Sequence, residues 1–278
     1  MSNPFAATTA FSFLPLAFSL CMHIIYKTDK EIQDIKAGGV YLNELLLLIY
    51  NAAEVGVSLM ALEKIASDYL ISRKLKGAFK GFGGYPANLC LSVNDCLVHG
   101  IPNDYVLKKG DLLKIDSGVI YNNMVTDAAI SKIIGGHSAN KIGAELMWTT
   151  KEALDKSLEL VKPGVSLRDY GRRVQQFVVS KGFTIVKSLT GHGVGKKVHE
   201  DPRVANYADP RLKQISFKPG MVLALEPITS EVSEDYKMHP NRRNLITTHG
   251  DLGCQREYTI AVTKTGCEVL AGITHNLQ

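Results

Sequence analysis

No C-x-x-C pair occurs in the 278 residues, and the five cysteines (Cys21, Cys90, Cys96, Cys254 and Cys267) are an odd, scattered set. That pattern excludes a zinc ribbon and argues against a disulfide framework, so a reducing, cytoplasmic setting is expected. A concentrated basic surface is also lacking. The formal net charge is +5, but the cations are dispersed except for short clusters at Lys74, Lys76 and Lys80 and at Lys196 and Lys197. Solvated faces account for them, and no specific nucleic-acid partner is expected. The first 26 residues contain no Lys, Arg, Asp or Glu. Without a basic n-region they do not read as a secretory signal. They are long enough to span a bilayer, yet Pro15 and several Ser and Thr weigh against a membrane anchor. A folded-looking pattern begins at Met22, so residues 1–21 are read as an N-terminal extension, either an over-called start or disordered. Residues 22–278 are read as a single domain.

What the chain does have is a core composition, 45% hydrophobic and 21% charged, and an internal repeat. Gly56-Val57-Ser58-Leu59 is matched by Gly164-Val165-Ser166-Leu167, each followed by a helical run. Ser58 and Ser166 are expected to cap those helices, with Leu62, Ile65, Ala66 and Tyr69 on the apolar face of the first. His99-Gly-Ile-Pro102 answers His199-Glu-Asp-Pro202. KKGDLLKID answers KPGMVLALE, so Asp116 and Glu226 each lie six residues after a glycine. Three matches in one order imply two similar halves facing each other, each delivering a histidine and a carboxylate to their junction.

The carboxylates stand where a core strand would not choose them. In IDSGVIYNNMVTD (115–127) a turn near Tyr121 to Asn123 makes a hairpin that puts Asp116 and Asp127 on one face, directly opposite or diagonal. Glu226 closes the apolar strand MVLALEPI on the face of Val222 and Ala224, and Glu257 opens REYTIAV. Burying such charges requires cationic compensation, from Lys and Arg or from divalent metal. No comparable set of four buried cations is visible. Four carboxylates and a neutral His192 match two divalent ions bridged by shared carboxylates. The glycines around His192, in TGHGVGKKVHEDP, would let the backbone approach closely enough for the imidazole to reach a metal. Singly, each residue is more often structural; their joint spacing carries the reading.

The chain from about Tyr26 onward resembles a type I methionine aminopeptidase. It does so on NLCLSVNDCLVHGIP, LLKIDSGVIYNNMVTD, TGHGVGKKVHEDP, MVLALEPI and QREYTIAVT. The resemblance implies an α+β pita-bread fold, two pseudo-symmetric halves with a curved antiparallel sheet flanked by helices. It implies two divalent metal ions per chain (Co, Mn, Fe or Zn). Asp116 would hold one alone, Asp127 and Glu257 would bridge, and His192 and Glu226 would hold the other. Glu226 would also be the catalytic base, with His99 and His199 contacting substrate and assisting catalysis. Phe79, Phe82, Tyr85 and Cys90 would line a soft apolar methionine pocket. The implied activity is removal of initiator methionine from nascent polypeptide N-termini near the ribosome exit, by a monomeric cytoplasmic enzyme without membrane partners.

Several positions depart from the family's pattern. Ala128 and Ala129 stand where Thr or Ser usually follow Asp127, removing hydroxyls that would support the metal shell. Tyr258 replaces a histidine, Val198 a phenylalanine, and Arg243 falls near a tryptophan position. These imply altered rate, metal preference or selectivity. An Xaa-Pro aminopeptidase of the same fold is one alternative, although that subgroup usually carries an additional N-terminal domain, for which the residues before Tyr26 leave no room. A non-catalytic binding relative is another, although such relatives commonly lose ligands and all five are present. A type II enzyme would carry a helical insert between His192 and Glu226. The remaining histidines, His23, His137, His239, His249 and His275, have no motif support and are expected to be exposed.

Overall fold

The computed structural model describes residues 22–277. The expected N-terminal extension, 1–21, lies outside the described residues. Among the described residues no helix is long and apolar enough to cross a membrane.

Helix α1 (Asp29–Ala52) begins at a capping box. The Thr28 hydroxyl accepts from Glu31 N, and the Glu31 carboxylate accepts from Thr28 N. Helices α2 (Leu59–Ser72) and α4 (Leu167–Ser180) start at Ser58 and Ser166, whose hydroxyls accept from Ala61 N and Asp169 N, both at 3.1 Å. Helix α3 (Lys141–Ser157) is capped by Asn140. The repeated sequence is thus repeated structure. Gly56 and Gly164 adopt φ of 90° and 88°, a region glycine enters at little cost. Their N–H groups donate to Leu107 O and Phe217 O, while Leu59 N and Leu167 N donate to Tyr105 O and Ile215 O.

The first half supplies β1 (Lys76–Gly77), β2 (Leu89–Val93), β3 (Cys96–Val98), β4 (Leu112–Tyr121) and β5 (Met124–Ile133). The second supplies β6 (Thr184–Ile185), β7 (Thr190–Gly193), β8 (Glu200–Ala205), β9 (Val222–Leu225) and β10 (Ile228–Ser230). It continues with β11 (Tyr236–Met238), β12 (Leu245–Thr247), β13 (Gly253–Gln255), β14 (Tyr258–Val262) and β15 (Cys267–Ala271). All pairings between these strands are antiparallel. Strand β4 carries β5 on one side and β1 and β2 on the other, while the second half forms the order β15-β14-β9-β7-β8. An antiparallel bridge between Ala129 and Glu257 joins the two.

Period-two alternation divides each strand between two layers. Leu113, Ile115 and Val119 of β4 and Ala128 and Ile130 of β5 face a core with Leu42, Leu46, Leu62 and Ala66 of α1 and α2. Leu223 and Leu225 of β9 and Tyr258, Ile260 and Val262 of β14 face Leu154, Tyr170 and Val174 of α3 and α4. The opposite faces, including Val125, Val222, Ala224 and Ala261, share a third cluster with Ile35, Phe79, Tyr85 and Cys90. This arrangement is the duplicated, helix-backed α+β fold expected from the resemblance.

Candidate active site

The hairpin register places the first two carboxylates. Asn122 and Asn123 form a two-residue turn with φ of 46° and 62°, the left-handed pair that a tight hairpin requires. Asp116 therefore pairs with Ala129, and Asp127 with Gly118, so the two aspartates are diagonal neighbours on the face away from the helices. The Ala129–Glu257 bridge then brings Glu257 beside Asp127, and Glu226 follows β9 on the same face as Val222 and Ala224. Ligand atoms of Asp127, His192 and Glu257 lie within 4.8 Å of one another. His192 Nε2 is 3.3 Å from Glu226 Oε1. Asp116, Asp127, His192, Glu226 and Glu257 all line one cavity with His99 and His199.

Four buried carboxylates in one cavity are electrostatically costly. Burial holds Asp116, Asp127 and Glu257 well above the usual carboxylate range, and repulsion among the carboxylates adds to it. Burial also raises Glu226 to about 8, opposed by a hydrogen bond from Gln255. No lysine or arginine among the described residues offsets these shifts. Asp116 Oδ1 and Asp127 Oδ1 are buried without a hydrogen-bond partner. Orphaned anionic oxygens converging with an imidazole fit a divalent cation, and the set of four carboxylates and one nitrogen suits Mn, Fe, Co or Zn.

His192 is prepared for that role by its neighbours. Its Nδ1 is 2.9 Å from Gly193 O, and since a carbonyl only accepts, Nδ1 carries the proton and Nε2 presents its lone pair to the cavity. Burial lowers its pKa to about 4, so the ring is neutral at physiological pH. The flanking glycines are required by contact: a Cβ on Gly191 would stand 2.4 Å from Ala224 O, and one on Gly193 would stand 2.4 Å from Asp201 O. The His199 ring meets His192 edge-on at 4.3 Å between centroids and lies at the solvent-exposed mouth. Desolvation, then the charges of His192 and Arg203, lower its pKa. His99 adopts φ of 59°, uncommon for a side-chain-bearing residue. Desolvation and the other two histidines lower its pKa to about 4.

Phe79, Phe82, Tyr85 and Cys90 line the same cavity, as do Val198 and Arg243. Phe82 is 39% exposed and belongs to the mouth rather than the depth. Two departures change meaning. Tyr258 points into the helix-side core, where its hydroxyl donates to Asp155 Oδ1 at 2.8 Å, away from the candidate ligands. Ala128 likewise faces the helices. The Thr259 hydroxyl holds the main chain of Asp127, donating to Asp127 O at 2.6 Å and accepting from Asp127 N at 3.0 Å. Of the histidines without motif support, His23, His239, His249 and His275 are exposed, whereas His137 is half-buried edge-on against Trp148.

Several site residues escape sequence reasoning. Gln255 Nε2 donates to Glu226 Oε2 at 3.3 Å, and Asn206 Nδ2 donates to Glu226 O at 2.9 Å. Glu200, beside His199, accepts from Lys196 N and Lys197 N and pairs with buried Lys27. Only Gln255 carried a local signal, standing two residues before Glu257.

A duplicated α+β fold with a buried cluster of four carboxylates and one imidazole at its junction defines a metal-dependent hydrolase site. Residues 34–264 match metallopeptidase family M24, and the chain belongs to that family. Its similarity runs to methionine aminopeptidases in particular. That of Clostridium acetobutylicum is 36% identical over 248 residues, 89% of this chain and 98% of the relative. That of Escherichia coli K12 is 35% identical over 251 residues, 90% of this chain and 94% of the relative. The crystal structure of methionine aminopeptidase from Thermotoga maritima superposes with a TM-score of 0.86 at 33% identity, covering 90% of this chain and all of that one. A prolidase from Pyrococcus furiosus, at 22% identity and a TM-score of 0.73, shares the fold alone.

Proposed function

We propose that this chain is a metal-dependent methionyl aminopeptidase that removes the initiator methionine from protein N-termini, favouring substrates with a small second residue. The observation that carries the reading is the convergence of all five candidate ligands, four of them carboxylates without a lysine or arginine partner among the described residues, on one buried floor. Asp116 would hold one ion, Asp127 and Glu257 would be shared, and His192 and Glu226 would hold the other. Two bound divalent ions supply Lewis acidity and a water acidified towards neutral pH. Glu226, steadied at Oε2 by Gln255, takes the proton of the attacking water and returns one to the leaving amine. His199 at the mouth donates to the scissile carbonyl oxygen as it gains negative charge, and His99 orients the amine end. Phe79, Tyr85 and Cys90 receive the thioether and exclude water around it. The substrates in the cell are nascent chains near the ribosome, met by a monomer in the cytoplasm.

The test is amino-acid release by the full chain, stripped of metal and reloaded with Mn²⁺, Fe²⁺, Co²⁺ or Zn²⁺. The substrates are Met-Ala-Ser, Leu-Ala-Ser and Ala-Pro-Ala. Cutting of the first alone, abolished in Asp127→Ala, is expected. Cutting of Ala-Pro-Ala instead would leave the fold and overturn the specificity. A folded protein inactive with every metal would favour a binding role.

A further inference from the structure

The cavity has a floor and a mouth of opposite character. Asp127 and Glu257 at the floor are 3% and 2% exposed, while Phe82, Met238 and Arg242 reach solvent. Among the described residues, the carboxylates lining the cavity are the four of the floor, and the mouth carries Arg242 and Arg243.

Both arginines sit on a hydrogen-bonded turn between β11 and β12. Asn241 Oδ1 accepts from Arg243 N and Asn244 N, both at 3.0 Å. Arg242 N donates to His239 O at 2.8 Å, and His239 N to Asn244 O at 2.9 Å. Asn244 Oδ1 accepts from Ile101 N at 3.2 Å, two residues from His99, so the turn is tied to the site. The Arg243 guanidinium donates to Gly83 O at 3.1 Å and Gly84 O at 3.4 Å. It thereby links the turn to Phe82, whose ring meets His199 edge-on at 5.6 Å.

We propose that Arg242 and Arg243 form a carboxylate-recognition rim that gives this enzyme a preference for peptides acidic just beyond the scissile bond. The inference rests on the aminopeptidase reading, in which the substrate's amine enters first and the leaving peptide trails out through the mouth. Guanidinium forks match carboxylates geometrically. With the floor carboxylates engaged by divalent ions, the fixed charge left at the mouth is positive, and a cleft concentrates that field. Arg243 also positions the Phe82 segment, so exposed Arg242 gives the cleaner variant.

The experiment compares Met-Ala-Glu-Glu-NH2, Met-Ala-Gln-Gln-NH2 and Met-Ala-Lys-Lys-NH2 as substrates of the Mn²⁺-loaded full chain. Binding of Ala-Glu-Glu-NH2 and Ala-Lys-Lys-NH2 is measured in parallel by calorimetry. The expected kcat/KM order is Glu over Gln over Lys, about tenfold from end to end at low salt and expressed mainly in KM. It should shrink towards unity in about 0.5 M NaCl and in Arg242→Gln, and in Arg243→Gln with a loss of kcat that Arg243→Lys partly restores. Equal kcat/KM for the three peptides, or discrimination unchanged in both glutamine variants, overturns the rim. Hydrolysis of none overturns the aminopeptidase reading instead, and the calorimetric comparison still decides whether the rim selects carboxylates.

Discussion

Replacing Thr259 with valine tests the contact that fastens the two halves together at the candidate metal centre. Ala129 turns its N–H and C=O outward from β5 to Glu257, at 3.4 and 3.0 Å, and by the period of two Asp127 turns its own the same way. Beyond that bridge the strands offer no further ladder bond, and the Thr259 hydroxyl serves both groups of Asp127. Thr259 is fully buried, so bulk water cannot replace it. Valine keeps the volume and branching, which makes the cavity contribution small, and leaves a buried donor and acceptor unmet at about 1–3 kcal/mol each. An unfolding free energy lower by roughly 2–6 kcal/mol is expected, with most of it recovered in Thr259→Ser. Because Asp127 is a candidate ligand, Mn²⁺ affinity should fall by about 10–100-fold. Urea unfolding of metal-free protein and calorimetric Mn²⁺ titration measure the two effects. A valine variant within about 0.5 kcal/mol of wild type, binding Mn²⁺ equally well, would refute the reasoning.

Tyr258→Phe removes the hydroxyl that donates to Asp155 Oδ1 at 2.8 Å and reaches Ile273 O at 3.4 Å, both on the helix side; stability should drop by about 1 kcal/mol with kcat/KM unchanged, and a large loss of activity would put Tyr258 back at the candidate metal centre. Gly193→Ala drives a Cβ towards Asp201 O and should lower the melting temperature and Mn²⁺ affinity together, whereas Gly266→Ala, with nothing within 4 Å, should change neither. Metal-free protein should lose stability between pH 6.5 and 8. Glu226, raised by burial from 4.5 to about 8, keeps a proton when folded that the unfolded chain has released, so stability falls as pH rises through that window. His99 and His192, lowered from 6.5 to about 4, act oppositely, but only below pH 6.5. Urea midpoints across that interval should fall without metal and hold level with saturating Mn²⁺; a rise without metal would contradict the assignment.

The parts legible in the sequence are those set by local periodicity. A two-residue turn and alternation of two were enough to put Asp116 and Asp127 on one face, and Glu226 with Val222 and Ala224, because those placements need only the strand's own geometry. The same alternation places Tyr258 on the face opposite Glu257, so its difference from histidine belonged to the helix-side core from the start. What escaped depended on contacts between distant segments. Thr259 reaches Asp127 only because Ala129 and Glu257 pair across the halves, and Lys27 meets Glu200 across 173 positions. That the Arg243 guanidinium spans to Gly83 and Gly84 follows from tertiary packing alone.

The duplicated scaffold carries an unsymmetrical site, and one pair of positions shows how. Ser92 in β2 stands opposite Lys114, and His192 in β7 stands opposite Ala224; Lys114 and Ala224 each lie four residues past the glycine that opens their strand. In the first half the position serves the backbone, since Ser92 Oγ accepts from Gly100 N at 3.0 Å, and the opposite strand is filled by buried Lys114 bonded to Asn94 O at 2.7 Å. In the second half alanine takes the lysine's place and glycines flank the histidine. The imidazole therefore gains room to lie against the sheet with Nε2 aimed at Glu226. One half spends the position on local structure and the other on the candidate site, which is why a twofold repeat yields four carboxylates but a single candidate ligating histidine.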